Sequence, residues 1–248
     1  MNLEQAAQDV HDQRFRRIVE LLRVLIVGGI PVGVLVVGVG SRVAMFVLRI
    51  TSPDSVNGVE SDDGFTIGEF TLGGTYNLLQ LGAFVGVIGA GVYMLVVPWL
   101  MGPRWFRRLT IGLAAGAVAG SMLVHADGID FTVLKPMWLA ISLFVALPAL
   151  FGVALAVSVD AVGRTGSWTA RGRRRWVLPI LSIVLFPITI VGVPFAAAAI
   201  VFCVLVRDVQ IVQRVRAVAA TTVLIRAVWL LIAVAGLVAL IGDINELS

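Results

Sequence analysis

The sequence predicts an all-α integral membrane protein: a multi-pass helical bundle with a small extracytoplasmic cap. Of its 248 residues, 59% are hydrophobic and only 14% are charged, whereas a soluble domain of this size carries about 25% charged residues. The charges are also grouped, because long apolar runs alternate with short polar connectors. This alternation is typical of a chain that is solvated by lipid.

The apolar runs have the lengths of membrane spans. Crossing a hydrocarbon layer of about 30 Å takes about 20 apolar residues in a helix. Six stretches meet or approach this length, the third being the shortest: Leu21–Leu48, Tyr76–Met101, Leu109–Val124, Met137–Val162, Trp176–Val206 and Thr221–Ile241. The first run is too long for the core of a signal peptide, so we expect it to be retained.

Residues 1–20 precede the first run and are predicted to be a cytoplasmic amphipathic leader. Leu3, Ala6, Ala7 and Val10 form a loose helical stripe, which favours a helix along the membrane surface that turns into the first span. A frayed terminal tail is the alternative interpretation.

The arginines predict the orientation, because basic connectors stay on the cytoplasmic side. We therefore expect cytoplasmic basic loops at residues 163–175 and 207–217, extracytoplasmic loops at 50–75 and 125–136, and a cytoplasmic amino terminus. The net charge of +4 indicates contacts with anionic lipid head groups, not with nucleic acid, since the arginines lie between apolar runs. Arginine almost replaces lysine, which is typical of GC-rich bacterial genomes and points to a bacterial plasma membrane.

The fifth stretch, Trp176–Val206, conflicts with this orientation. If it crossed once, the arginines that follow it would lie outside and the acidic tail inside. The stretch also contains residues that kink or break a helix, namely Pro179, Pro187, Gly192 and Pro194. We therefore predict a re-entrant hairpin that bends near Ile190–Pro194, with five spans in the whole chain. A single kinked span, which gives six spans, is the alternative.

Small residues recur at helical spacing and predict close helix packing. One such face contains Gly82 and Gly86, and Gly29 and Gly33 repeat the pattern on the first run. The third run carries a ladder of three glycines, Gly112, Gly116 and Gly120. Packing within one chain and contacts in a homo-oligomer or with a membrane protein partner both fit this pattern.

The two acidic loops resemble each other, since both contain an Asp-Gly pair followed by an acid-Phe-Thr-aliphatic sequence. This similarity suggests an internal repeat of two helical hairpins. The alternating pattern of residues 65–72 favours short β-strands in the cap. A solvated acidic surface is the simpler interpretation of the loops. The alternative is a site for a divalent cation, with candidate ligands Asp62, Asp63, Glu69, Asp127 and Asp130. No other cofactor is predicted.

Arg42 and Arg49 lie on one face of the first run, near its outer end. An arginine in the hydrocarbon centre costs about 2.5–3.5 kcal/mol on insertion scales, so each should reach the interface or a carboxylate. We predict structural ion pairs with Glu69 and Asp130. Binding of a lipid phosphate or another anion is the alternative.

The sequence offers no motif that identifies a reaction or a substrate. A phosphate-binding loop, a catalytic triad and a cysteine-rich metal pattern are all lacking. We therefore expect a non-enzymatic scaffold, accessory subunit or sensor. A small transporter or channel subunit that uses the kinked residues 176–206 is the first alternative, and a membrane-embedded enzyme acting at the outer face is the second.

Overall fold

The computed structural model describes residues 3–56, 58, 71–124, 134–164, 166–208 and 219–247, and every regular element in these ranges is helical. The predicted helical class is confirmed for these residues. The predicted strands of the cap fall largely on residues 65–70, which lie outside the described ranges.

Eight α-helices are described. They are α1 (Leu3–Val32), α2 (Gly40–Thr51), α3 (Leu72–Val96), α4 (Arg104–Leu123), α5 (Met137–Val162), α6 (Arg174–Leu185), α7 (Thr189–Asp208) and α8 (Ala219–Leu247). A π-helix, Gly33–Val39, joins α1 to α2 without a break. Short 3₁₀ turns lie at Asp54–Val56, Val97–Trp99 and Trp168–Ala170.

Among the described residues, four helical segments are long and apolar enough to cross a membrane. They are His11–Thr51 with 41 residues, Leu72–Trp99 with 28, Met137–Val162 with 26 and Arg226–Asn245 with 20. Helix α4 is also 20 residues long but is not in this group. It coincides with the third predicted span, the shortest one, and begins with a cluster of arginines. The chain thus has the helices of a membrane protein.

The leader and the first apolar run form one helix, and the leader's placement at the membrane surface stays a prediction. Helix α1 runs from Leu3 to Val32 as one element, so the chain does not turn near residue 20 before the first apolar run. The continuity has a local cause: Glu20 and Arg23, three residues apart on one face, form an ion pair that supports the helix at this junction.

The π-helix aligns two glycines toward α3. In an α-helix, Gly33 and Gly38 would lie about 140° apart around the axis, whereas the i→i+5 hydrogen bonds of a π-helix bring such residues close to one face. A Cβ added to Gly82 would lie 2.5 Å from the Gly33 carbonyl oxygen and 2.8 Å from the Gly38 nitrogen. The two helices therefore cross with their backbones in contact.

With α1 and α2 counted as one continuous helix, the successive helices alternate in direction. We call the end of the bundle where α3 and α5 finish and α4 and α6 begin the basic end, because arginines cluster there. At the far end, the Lys135 N–H donates to Ser52 Oγ over 2.9 Å, which ties the end of α2 to the start of α5. Helix α8 reaches this end as well, since Leu240 packs with Leu48 and Val124.

The main apolar core lies between α1, α3 and α5, toward the basic end. Its buried members are Val24, Leu25, Ile26, Ile30, Ala83, Val87, Ala90, Tyr93, Leu155, Ala156, Val159 and Ala196. The last of these belongs to α7, so the proline-rich segment contributes to the same core. Helix α4 packs beside α5, with its three ladder glycines buried against Val145, Ala149 and Val153.

Helices α6 and α7 run in opposite directions on either side of a break and are called the hairpin below; α6 packs mainly on α1 and α7 mainly on α3. At its tip, the Ile188 N–H donates to Gln80 Oε1 over 3.2 Å. Farther along α7, an added Cβ at Gly192 would lie 3.0 Å from the Phe84 ring, and Ala196 packs on Gly91. The partner on α3 thus moves toward the basic end as α7 proceeds. Both ends of the hairpin therefore lie at the basic end.

The hairpin bends at residues 186–188, earlier than the predicted Ile190–Pro194. Phe186 precedes Pro187, and a residue before proline is forced out of the α region; its backbone is at φ −126°, ψ 73°. The buried Thr189 then donates its hydroxyl to the Phe186 carbonyl over 2.7 Å. Gly192 and Pro194 lie within the first two turns of α7 instead.

Candidate functional site

Arg23 is the most deeply buried charged side chain among the described residues, with 1% of its surface exposed. Its Nε donates to Glu20 over 3.0 Å, and its Nη2 donates to Glu20 and, over 3.1 Å, to the Val162 carbonyl. Its Nη1 donates to the hydroxyl of Thr169. Every nitrogen of the guanidinium group is therefore hydrogen-bonded inside the protein.

These contacts connect three parts of the chain. Val162 is the last residue of α5, whose carbonyl has no partner within the helix, and Arg23 supplies a cation where the helix dipole favours one. Thr169 lies in the connector after α5 and also shares a hydrogen bond of 2.9 Å with Ser167. Arg23 thus fixes the connector between α5 and α6 against α1.

A second polar network surrounds Asp160 in the last turns of α5. The Tyr93 hydroxyl of α3 donates to Oδ1 over 2.7 Å. Arg108 of α4 donates to Oδ2 through Nε over 3.2 Å and through Nη2 over 2.9 Å. This carboxylate joins three helices at one level of the bundle, and both of its oxygens are engaged. Asp160 and Arg108 are 27% and 22% exposed, so the network borders the surface.

Two further arginines lie near this network, where α3 ends. Arg226 of α8 donates its Nε to the Trp99 carbonyl over 3.1 Å. Arg107 is half-buried on α4, and its Nε is buried without a hydrogen-bond partner in the described part of the chain. Arg108 is the third guanidinium group there, and Asp160 is the one carboxylate among the described residues that pairs with any of them.

The polar contacts of the hairpin are at its tip. The Tyr76 hydroxyl donates to the Leu185 carbonyl over 3.4 Å, and Gln80 accepts from Ile188 as described above. Both side chains come from the first turns of α3. They satisfy backbone groups that the break between α6 and α7 leaves without helical partners.

The predicted site residues fall into two groups. The structure brings together the small-residue faces: Gly82 and Gly86 meet Gly29 and Gly33, and the glycine ladder of α4 meets α5. Arg42 and Arg49 are half-buried along α2. Their predicted partners, Glu69 and Asp130, lie outside the described residues, so these ion pairs stay a prediction.

The candidate cation ligands Asp62, Asp63, Glu69, Asp127 and Asp130 also lie outside the described ranges, and the cation site stays a prediction. Within those ranges, no group of three or more His, Cys, Asp or Glu side chains could hold a metal ion.

Sequence reasoning missed most members of the two polar networks. It did not identify Tyr93, Arg108 or Thr169 as members. Tyr93 lies in an apolar run and gives no polar signal. The spacing of Glu20 and Arg23, three residues apart at the start of an apolar run, was the one signal that could have pointed to the first network.

No protein-family model, curated protein or solved structure matches this chain.

Proposed function

We propose that this chain is a multi-pass protein of the plasma membrane that works without catalysing a reaction, as a scaffold, accessory subunit or sensor in a membrane assembly. In this proposal α1–α2, α3, α4, α5 and α8 are five spans, and α6–α7 is a re-entrant hairpin. The amino terminus and the basic end face the cytoplasm.

Surface composition supports the membrane placement. Exposed side chains on the helices are mostly large and apolar, as on the outer faces of α6 and α8. Exposed tryptophans lie near both ends of the bundle, with Trp105, Trp168 and Trp176 at the basic end and Trp138 at the far end. Aromatic belts of this kind sit at the two membrane interfaces. Helix α6, with 12 residues, spans only about 18 Å, less than the hydrocarbon layer of about 30 Å, and after the break at residues 186–188 the chain returns toward the basic end.

Cysteine labelling tests this topology. In a Cys203→Ser background, single cysteines at Arg171 and Gln210 should be protected from an impermeant maleimide in intact cells and react after permeabilisation. A cysteine at the exposed Ser55 should react in intact cells and serves as the control. Labelling of Gln210→Cys from outside would instead support a single kinked span.

The observation that carries the non-enzymatic function is the saturation of both polar networks. The carboxylate of Asp160 and the guanidinium of Arg23 have their polar atoms engaged by other parts of the same chain. A catalytic or transport site must release its ligand in each cycle, so it needs polar groups that are open to that ligand. The two networks instead connect neighbouring helices and stabilise their relative positions.

Two measurements on the same preparation test the proposal. The tagged chain, extracted from native membranes in a lipid-preserving polymer, should carry a membrane protein partner in fixed stoichiometry. Reconstituted alone in liposomes, it should give no proton, sodium or potassium flux above empty vesicles. Flux that Asp160→Asn abolishes without loss of the folded state would overturn the proposal in favour of a transporter.

A transporter or channel subunit is the second candidate, and the hairpin favours it. Broken helices at membrane depth occur where they line a cavity or pack within protein. Among the described residues, only two side-chain hydrogen bonds connect the hairpin tip to another helix, one from Tyr76 and one to Gln80. If this candidate is correct, Gln80→Leu should change the flux while leaving the assembly of the protein intact.

A further inference from the structure

The strongest unassigned feature is a concentration of positive charge where α4, α8 and the end of α3 meet. Three arginines lie there, Arg107, Arg108 and Arg226, and among the described residues Arg108 alone of these forms an ion pair, with Asp160. Two guanidinium groups therefore remain without a counter-charge in the described part of the chain.

The helix register places these two groups at the same level. Gly236 of α8 packs against Ala117 of α4, because an added Cβ would lie 3.1 Å from the Ala117 carbonyl oxygen. Gly236 follows Arg226 by ten residues, and Ala117 follows Arg107 by ten. Since α4 and α8 both run from the basic end to the far end, Arg107 and Arg226 lie at the same level of the bundle, at the start of the contact between α4 and α8, which we call the α4–α8 seam.

Each arginine keeps donors for a ligand. Arg226 uses Nε for the Trp99 carbonyl, and this contact orients the group while its two terminal nitrogens remain as donors. The Nε of Arg107 is buried without a described partner. Two oriented guanidinium groups suit a phosphate, whose oxygens accept paired hydrogen bonds from arginine.

The surroundings indicate that the phosphate belongs to a lipid. Farther from the basic end on the same two helices, Leu113 of α4 and Leu230 of α8 are large, apolar and exposed, Leu113 to 72%. A free anion would gain nothing from these side chains, whereas acyl chains would cover them.

We propose that the α4–α8 seam binds an anionic phospholipid, with Arg107 and Arg226 holding its phosphate and the flanking apolar side chains holding its acyl chains. This inference rests on the proposed membrane placement. It differs from a general attraction of arginines to acidic lipids because it assigns the lipid to one site.

The test is a titration of the full chain in neutral detergent with phosphatidylglycerol, followed by native mass spectrometry. Phosphatidylcholine is the lipid control. Each of Arg107→Gln and Arg226→Gln should weaken the tightest phosphatidylglycerol binding about fivefold, and the double variant about 25-fold, since one basic residue near an anionic surface contributes about one kcal/mol, which is about fivefold in affinity. Arg164→Gln and Arg171→Gln, exposed arginines of another connector at the same end, should leave binding unchanged.

Three outcomes would overturn the proposal. Equal binding by the wild type and the double variant would show that the seam is not the site. Equal losses in the Arg164→Gln and Arg171→Gln controls would indicate unspecific attraction. Displacement of the lipid by millimolar inorganic phosphate would identify a site for free anions. Arg226→Lys, which keeps the charge, separates loss of a ligand from loss of folding, because it should retain more binding than Arg226→Gln. The labelling experiment above is independent of these results, so a failure of the topology and a failure of the lipid site can be distinguished.

Discussion

The crossing of α3 with the first helix predicts a graded response to added methyl groups along α3. At Gly82, a Cβ would lie 2.5 Å from the Gly33 carbonyl oxygen, about 1 Å inside normal contact distance. The second obstructing atom is the Gly38 nitrogen, at 2.8 Å. Both atoms belong to the backbone, so no side chain can move aside and the helices must separate.

The magnitude follows from the lost contacts. A separation of about 1 Å removes up to half of the 0.1–0.2 kcal/mol that each atom pair contributes, so roughly 30 pairs at the crossing lose about 2 kcal/mol. This value lies within the range of about 1–3 kcal/mol for overpacked cores. A gain of up to about 1 kcal/mol from replacing a helical glycine by alanine opposes it. Gly82→Ala should therefore destabilise the protein by about 1–2 kcal/mol.

Two glycines of the same helix are matched controls. An added Cβ at Gly73 meets nothing within 4 Å, and one at Gly89 meets the ends of the Leu155 and Phe151 side chains at 2.9 Å. Gly73→Ala should be neutral or slightly stabilising, and Gly89→Ala should be intermediate. The free energy of unfolding in mixed micelles titrated with SDS, followed by tryptophan fluorescence, measures all three. If Gly82→Ala is as stable as Gly73→Ala, the backbone contact between α3 and the first helix is not present.

Three further predictions concern the polar contacts and use the same unfolding assay. Arg23→Ala should lower the free energy of unfolding by about 2–3 kcal/mol, because the buried Thr169 and the Val162 carbonyl lose their donor, while Glu20, 41% exposed, regains water. Arg16→Ala, at an exposed position of the same helix, should change stability by less than about 0.5 kcal/mol. Equal effects of the two substitutions would show that burial is not the cause. Asp160→Asn should lower the free energy of unfolding by about 1–2 kcal/mol, since the network is partly screened by solvent. The double variant with Tyr93→Phe should be little less stable than Asp160→Asn alone, because the two residues act in one network. Ser52→Ala removes both hydrogen bonds to Lys135 and should cost about 1 kcal/mol; a variant as stable as the wild type would show that the far end is held by other contacts.

Much of the fold could be predicted because lipid leaves the backbone few options. A run of about 20 apolar residues in a bilayer must be helical to satisfy its N–H and C=O groups, so Met137–Val162 agrees with α5 residue for residue. Helix ends that lie in polar sequence were harder to predict. Helix α8 extends to Leu247, past the predicted Ile241, since backbone hydrogen bonds continue wherever the next residues allow a helix, whatever their polarity.

The partners of the charged residues could not be predicted, because they depend on which helices are neighbours. Asp160 meets Tyr93 and Arg108 only because α3 and α4 both flank the end of α5. In sequence Asp160 lies 67 positions from Tyr93 and 52 from Arg108. A pattern of hydrophobic and polar residues fixes the face of a helix but not its neighbour.

The π-helix shows most clearly which part of the fold the local sequence does not determine. Gly29 and Gly33 are four residues apart, so an α-helical pattern predicts their shared face, but it places Gly38 on a different one. The structure instead turns Gly33 and Gly38 to the same glycine of α3, and this requires a wider turn within the first helix. Pro31 provides a local reason, since it removes one helical hydrogen bond and crowds the preceding turn, yet α3 supplies the backbone against which both glycines pack. The segment is therefore explained by a proline in its own sequence together with a neighbour more than 40 residues away, and only the first of these is visible in the local sequence.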